Sequence, residues 1–282
     1  MKRIFLSGLL LLLLCAGVGC SFSVEDAQPT TTIEDPDPKT EIIPFFDTSE
    51  YVFPDTQVSI SPDWKEDTIP EPFSKKWERA LNSSENGLSV KDDMLVAGIN
   101  EDWFYRSDKL QVEDGVLLGY DKGEWGGGIV FRPDDGLEYE LVNMNFQGFF
   151  LVGDRIYALT GLVHIIDFGG NIYEIRFIED KWTAEWVYSL GSCPELFLVV
   201  DDTAYIATNK TLVVMRDGGA VETLVDDAFW TGLDLSSIIY ANQSVFIGMQ
   251  GGVYSYDTIT GKETWYNFID RWYERSLLDE DL

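Results

Sequence analysis

From about Gly87 onward, short β-branched and aromatic runs alternate with Gly, Asp and Asn, and no helical period is sustained. Period-two alternation bounded by turn residues predicts strands. The runs recur as copies of one another. Gln111 to Val142, Phe149 to Ile175, Leu196 to Val225 and Ile238 to Tyr266 each carry strand, turn, strand, turn and strand, and a degenerate copy starts at Leu88. Their turn positions Asp114, Asp154, Asp202 and Asn242 lie 40, 48 and 40 residues apart. A period of roughly 40 to 50 residues with about four strands per unit predicts an all-β fold, a β-propeller of about four to five blades, with a β-sandwich as the alternative. Before the repeats, Ser74 to Leu81 predicts one short helix with Trp77 and Leu81 on one face.

The head of the chain has a different pattern. Lys2 and Arg3 precede the apolar run Leu9 to Leu14, and Gly17-Val18-Gly19 leads into Cys20. The run is short for a bilayer-spanning helix, and the order of basic, apolar and small residues is that of a secretory signal. Small residues directly before a cysteine read as a bacterial lipobox. Residues 1–19 are then a lipoprotein signal peptide, and Cys20 is the lipidation site, which anchors the mature chain to a cell membrane or outer membrane, outside the cytoplasm. Residues 20–72 follow as an acidic, Pro-rich tether, with 13 acids after Cys20 against Lys39 and Lys65. Like charges and prolines favour an extended, disordered spacer. The apolar patches Ile42 to Phe46 and Tyr51 to Phe53 are the exception: a loosely packed tether is the expected reading, with docking on the domain or on a partner as the alternative. The expected divisions are therefore the signal at 1–19, the tether at 20–72, the repeat domain at 73–270 and an acidic C-terminal tail at 271–282.

Charge narrows the partners. The full chain carries a formal −29, and loss of Lys2 and Arg3 with the signal takes it to −31. A polyanion of that size repels phosphate backbones, so no nucleic acid is expected. It also repels anionic headgroups, which leaves the acyl chains as the membrane contact. Of three cysteines, Cys15 leaves with the signal and Cys20 is lipidated, so Cys193 has no partner for a disulfide and is expected to be a buried apolar residue.

The last repeat resembles the blade of pyrroloquinoline-quinone-type propellers and their non-catalytic relatives. Gly251-Gly252, a strand ending at Asp257, then Thr260-Gly261-Lys262 and Trp265 carry the likeness. It implies a turn from Asp257 through Thr260-Gly261, and a Trp265 packed between neighbouring blades. The same repeat family includes an outer-membrane assembly lipoprotein that docks on a β-barrel machine. A further likeness covers about residues 90–175. The loop Asp121-Lys122-Gly123-Glu124-Trp125-Gly126-Gly127-Gly128, followed by Gly161-Leu162-Val163-His164, resembles a group of bacterial proteins of uncharacterised activity that pair a GEWGG-type loop with a GL-x-H strand.

Catalytic sets are sparse. His164 is the chain's single histidine, which leaves no closed zinc site and no supported Ser-His-Asp triad. The glycines at 126–128 lack the Lys and Ser/Thr of a P-loop. Acidic pairs such as Asp92-Asp93 and Asp201-Asp202 read as turn residues. No catalytic residue, metal or cofactor is expected. The candidate binding residues are Asp121, Glu124, Trp125 and His164: three glycines signal close approach or backbone freedom, and an aromatic beside them would stand at a loop tip. Trp103, Trp182, Trp230 and the pair Trp272-Tyr273 are further candidate contacts. The expected function is a membrane-anchored, non-enzymatic binding or scaffold module for an envelope or surface protein. The alternative is a glycan-binding or hydrolytic lipoprotein, with Glu124 as acid or base and Trp125 as a stacking platform.

Overall fold

A computed structural model describes residues 51–54, 57–84, 86–99, 109–163 and 167–267, all of which belong to one compact unit, Ile43–Leu282. The signal, Cys20, the tether up to residue 50, and the 271–282 tail lie outside the described residues, as do Trp103, His164, Trp272 and Tyr273.

Strands dominate, as the alternation dictates. They form five small sheets, none closed on itself. Sheet I pairs β4 (Asn86–Lys91) with β5 (Met94–Ile99). Sheet II is β6 (Lys109–Val112), β7 (Gly115–Asp121), β8 (Gly127–Pro133) and β9 (Tyr139–Val142). Sheet III is β10 (Phe146–Val152), β11 (Arg155–Val163), β12 (Asp167–Ile178) and β13 (Lys181–Ser189). Sheet IV comprises β14 (Pro194–Val200), β15 (Thr203–Thr208), β16 (Leu212–Arg216) and β17 (Ala220–Val225), and sheet V is built on β18 (Leu235–Ala241), β19 (Ser244–Met249), β20 (Gly252–Asp257) and β21 (Glu263–Asn267). Sheets II to IV are four-stranded antiparallel meanders, and β18–β21 make another. The turn residues Asp114, Asp154, Asp202 and Asn242 each sit in the tight hairpin between the first and second strands of a sheet, and Asp92-Asp93 fill that place in sheet I. Asp92 and Asp93, like Asn242 and Gln243, have positive φ at both central positions, the geometry that matches the twist of two-residue hairpins.

Four apolar clusters lie between sheets. One joins II to III around Leu117, Phe131, Phe146 and Phe149. The next joins III to IV through Phe150, Tyr157, Phe197 and Ile206. The largest joins IV to V and takes in Trp77, Trp230, Tyr254 and Trp265. The fourth joins V to I around Leu88, Leu95, Ile239 and Phe246. First strands meet across three of these seams, where β10 packs on β14, β14 on β18 and β18 on β4; between sheets II and III, β10 packs on β7. Among the described residues no such cluster joins sheet I to sheet II.

The tether departs from expectation. Residues 51–67 contribute three strands. β1 (Val52–Phe53) lies parallel to β18, β2 (Ser59–Ile60) lies parallel to β5, and β3 (Lys65–Asp67) lies antiparallel to β21. One short segment therefore covers both edges of sheet V and adds a third strand to sheet I. Asn242, in the β18–β19 turn, donates from Nδ2 to the Val58 carbonyl at 2.6 Å and accepts the Val58 N–H on Oδ1 at 3.0 Å. Val58 and Trp64 are buried, and Tyr51, Phe53 and Ile60 pack beside them, so the apolar side chains outweigh the acidic composition here.

Helix α1 (Lys75–Leu81) begins at Ser74, whose hydroxyl accepts the Trp77 N–H at 3.2 Å as an N-cap. Its buried residues are Trp77 and Ala80; Leu81, expected on the same face, is 38% exposed at the last turn. The Trp77 indole N–H donates to the Phe229 carbonyl at 2.8 Å. Trp265 is fully buried between sheets IV and V, 5.3 Å edge-on from Phe229. The Asp257 carboxylate accepts the N–H groups of Ile259 and Thr260 at 2.9 and 2.8 Å, and Gly261 turns at φ +71°.

Candidate functional site

The GEWGG loop joins the second and third strands of sheet II. Strand β7 ends at Asp121, one 3-10 turn covers Gly123–Trp125, and β8 starts at Gly127. The Lys122 N–H donates to the Gly126 carbonyl at 2.9 Å and closes the loop. Each of the three glycines has a separate reason. Gly126 adopts φ +94°, which side-chain-bearing residues avoid. A Cβ on Gly127 would fall 2.4 Å from Asn145 Cα, and one on Gly128 would fall 2.6 Å from the Tyr120 hydroxyl. The loop is thus pressed against the entry to sheet III.

Asp121 holds it there. Its Oδ1 accepts the Gly123 N–H at 2.7 Å and a bond from Asn145 Nδ2, while Oδ2 accepts Gln147 Nε2 at 2.9 Å. Asn145 Nδ2 also donates to the carbonyls of Gly123 and Gly126, at 2.8 and 3.2 Å. Gln147 Nε2 donates to the Gly161 carbonyl at 2.9 Å, and the Gly161 N–H donates to the Asn145 carbonyl at 2.9 Å. Asn145 and Gln147 are buried. Their donors need an acceptor-only group, and a carboxylate is one. Asp121, a candidate binding residue by sequence, thus braces the loop from an exposed position.

Trp125 does stand out from the surface, at 88% exposure. Glu124 beside it is also exposed. The loop's own cation is drawn aside: Lys122 Nζ lies 5.1 Å from the centroid of the Tyr120 ring. The Tyr120 phenol is held above its ordinary range, chiefly by burial and further by the charges of Glu140 and Glu138. His164 falls outside the described residues, so the structure gives no geometry for its convergence with Trp125.

The other tryptophans divide. Trp230, a candidate contact by sequence, is wholly buried, with its indole N–H on the Thr208 carbonyl at 2.9 Å. Trp182 is wedged between sheets II and III. Its indole donates to Asp114 at 2.8 Å, its backbone N–H donates to the Tyr139 hydroxyl at 3.0 Å, and its ring meets Phe131 and Phe177. Trp230 is thus a core residue, and Trp182 is half-buried at the seam. Trp186, unremarked in the sequence, is 57% exposed on the edge strand β13, with its indole on Asn171 Oδ1 at 3.2 Å. Cys193 is buried. Among the described residues, no three His, Cys, Asp or Glu side chains gather as they would around a metal ion, and no helix is long and apolar enough to cross a membrane.

No protein-family model matches the chain, and no curated protein sequence does. Likeness to solved structures is distant. The AtxE2 isopeptidase aligns at 10% identity with a TM-score of 0.33, over 60% of this chain and 29% of its own. The extracellular domain of BT4673 from B. thetaiotaomicron aligns at 14% identity and a TM-score of 0.38, over 71% of this chain and 29% of its own. The computationally designed Ika8 protein aligns at 14% and 0.35, over 64% of this chain and 60% of its own. This chain therefore spans about three tenths of the first two proteins. Scores this low carry no argument about function, which rests on the chain's own residues.

Asn145 and Gln147 are the residues that sequence reading missed. Their signal was present: two amides at the entry to the apolar strand Phe146–Val152, where a buried polar group requires a partner.

Proposed function

We propose that the protein is a lipid-anchored, non-enzymatic binding module of the bacterial cell envelope. In this reading Cys20 carries the lipid, and the acidic segment after it spaces the domain from the membrane. The five sheets act as blades of a propeller that presents the Trp125 loop to a partner protein. Three features support the propeller over a sandwich: the four-stranded meanders follow one another in chain order, sheets III, IV, V and I meet through their first strands, and each apolar cluster serves a neighbouring pair.

The observation that carries the binding role is a large aromatic side chain left 88% exposed on a loop with its own polar groups internally bonded. A tryptophan on a loop braced in that way requires little further ordering of the backbone on binding and has apolar area to bury, the profile of an interface anchor. In-cell cross-linking with mass spectrometry tests this on the native lipoprotein and on a Glu124→Gln/Trp125→Ala variant. Capture of one envelope protein by the wild type, and its loss in the variant, is the expected result. Identical neighbours in both would reduce the loop to a turn between strands.

A further inference from the structure

We propose that the occupant of the Trp125 loop is a cationic segment of a partner protein, a Lys- or Arg-bearing strand or tail. The inference rests on the binding-module reading and names the chemistry of its partner.

Charge is the first argument. The chain carries 49 acidic against 20 basic side chains, a formal −29, and such a field raises the local concentration of cations and steers them to its surface. At the loop itself, Glu124 sets a carboxylate beside Trp125 and Glu140 acts on the Tyr120 phenol, while the nearby cations are engaged: Lys122 over the Tyr120 ring, and Arg132 with Glu138 at 3.1 Å. Second, indole is the side chain whose face attracts ammonium and guanidinium groups most strongly. Tyr120, the other ring of the loop, already faces the Lys122 ammonium, whereas Trp125 stands in solvent.

The third argument separates a cationic peptide from a sugar. A glycan stacked on Trp125 would need nearby donors and acceptors to read its hydroxyls. The Asn145 amide donates to Asp121, Gly123 and Gly126, and the Gln147 amide to Asp121 and Gly161. Those amides are spent on holding the loop. What the loop offers outward is an aromatic face and negative charge.

The test uses the full-length lipoprotein in detergent and a fluorescent oligolysine peptide, with binding followed by anisotropy. Binding should weaken as salt rises from low to physiological ionic strength, since exposed charges are screened. Because a polyanion attracts polylysine everywhere, the decisive comparison is between variants of equal charge. Trp125→Ala should weaken binding about two- to fivefold, the range for an exposed cation–π contact. Trp186→Ala, at the other exposed tryptophan among the described residues, should leave it unchanged. Peptide with acetylated lysines should not bind. Equal affinity of wild type and Trp125→Ala for oligolysine overturns the proposal. So does Trp125-dependent binding of the acetylated peptide, or of an uncharged chito-oligosaccharide. If cross-linking in cells still maps a partner to the loop in those cases, the binding-module reading stands and only the cationic class falls.

Discussion

Asp121 shows how much one residue's chemistry decides in this protein. Three donors converge on its carboxylate: the Gly123 N–H and the side-chain amides of Asn145 and Gln147. An asparagine there would have the same shape but would turn one acceptor into a donor, which would face another donor. Asp121→Asn should therefore destabilise the fold by about 1–3 kcal/mol, the usual cost of leaving a buried polar group unpaired. Urea unfolding reads that loss, and amide exchange at Gly123 should quicken. An unchanged midpoint with unchanged exchange would mean that the loop keeps its shape by other means. The sequence marked Asp121 as a candidate binding residue and did not show its bracing role, because Asn145 and Gln147 are more than twenty residues away in the chain.

At the scale of elements, local rules wrote most of the fold. Period-two alternation and paired turn residues define the hairpins of all five sheets, because strand and turn preferences act over a few residues. The helix was legible too: Ser74 to Leu81 was expected to form one, and Lys75–Leu81 does. Its buried face was not: an i, i+4 pair was expected, but the helix ends at Leu81, and Ala80 takes the second inward place. The β20–β21 turn gives an element-scale prediction. The N–H of Thr260 chiefly, and that of Ile259 with it, holds the Asp257 carboxyl below its ordinary value of 3.8. A carboxyl depressed on folding stabilises the fold fully above its unfolded pKa, and that contribution is lost as pH falls through the folded value. Asp257→Asn should thus lower the melting temperature at neutral pH. The gap to wild type should close as pH drops below 3.8, by thermal melts of both proteins across that range. A gap that persists in acid would assign the effect to packing instead of charge.

Across the whole molecule, the segment 51–67 is the feature that binds distant parts of the chain. It adds strands to the first and last sheets and covers both edges of sheet V, which otherwise would present open hydrogen-bonding rows. Asn242 holds it through two bonds to Val58, 184 residues away in sequence. Asn242→Gly keeps the positive φ of that turn and removes the amide. It should cost about 1–2 kcal/mol for the two lost bonds and should expose the chain around Val58 to proteolysis before the domain as a whole. Global unfolding with no earlier nick would show that the segment and the sheets part together.

The sequence by itself determined the all-β character, the repeat and its turns, and the tight loop at Gly126 to Gly128. Each of these is encoded by neighbours a few residues apart, so no distant partner is needed to read it. Tertiary structure alone decided the rest. An acidic, Pro-containing stretch became three strands because Val58 and Trp64 found a core made by residues near 240. Among the described candidate tryptophans, Trp230 went inside and Trp182 lodged half-buried at a seam, while Trp125 stayed out. Composition is the same for all of them. What separates them is the surface that each meets once sheets far apart in the chain have packed together.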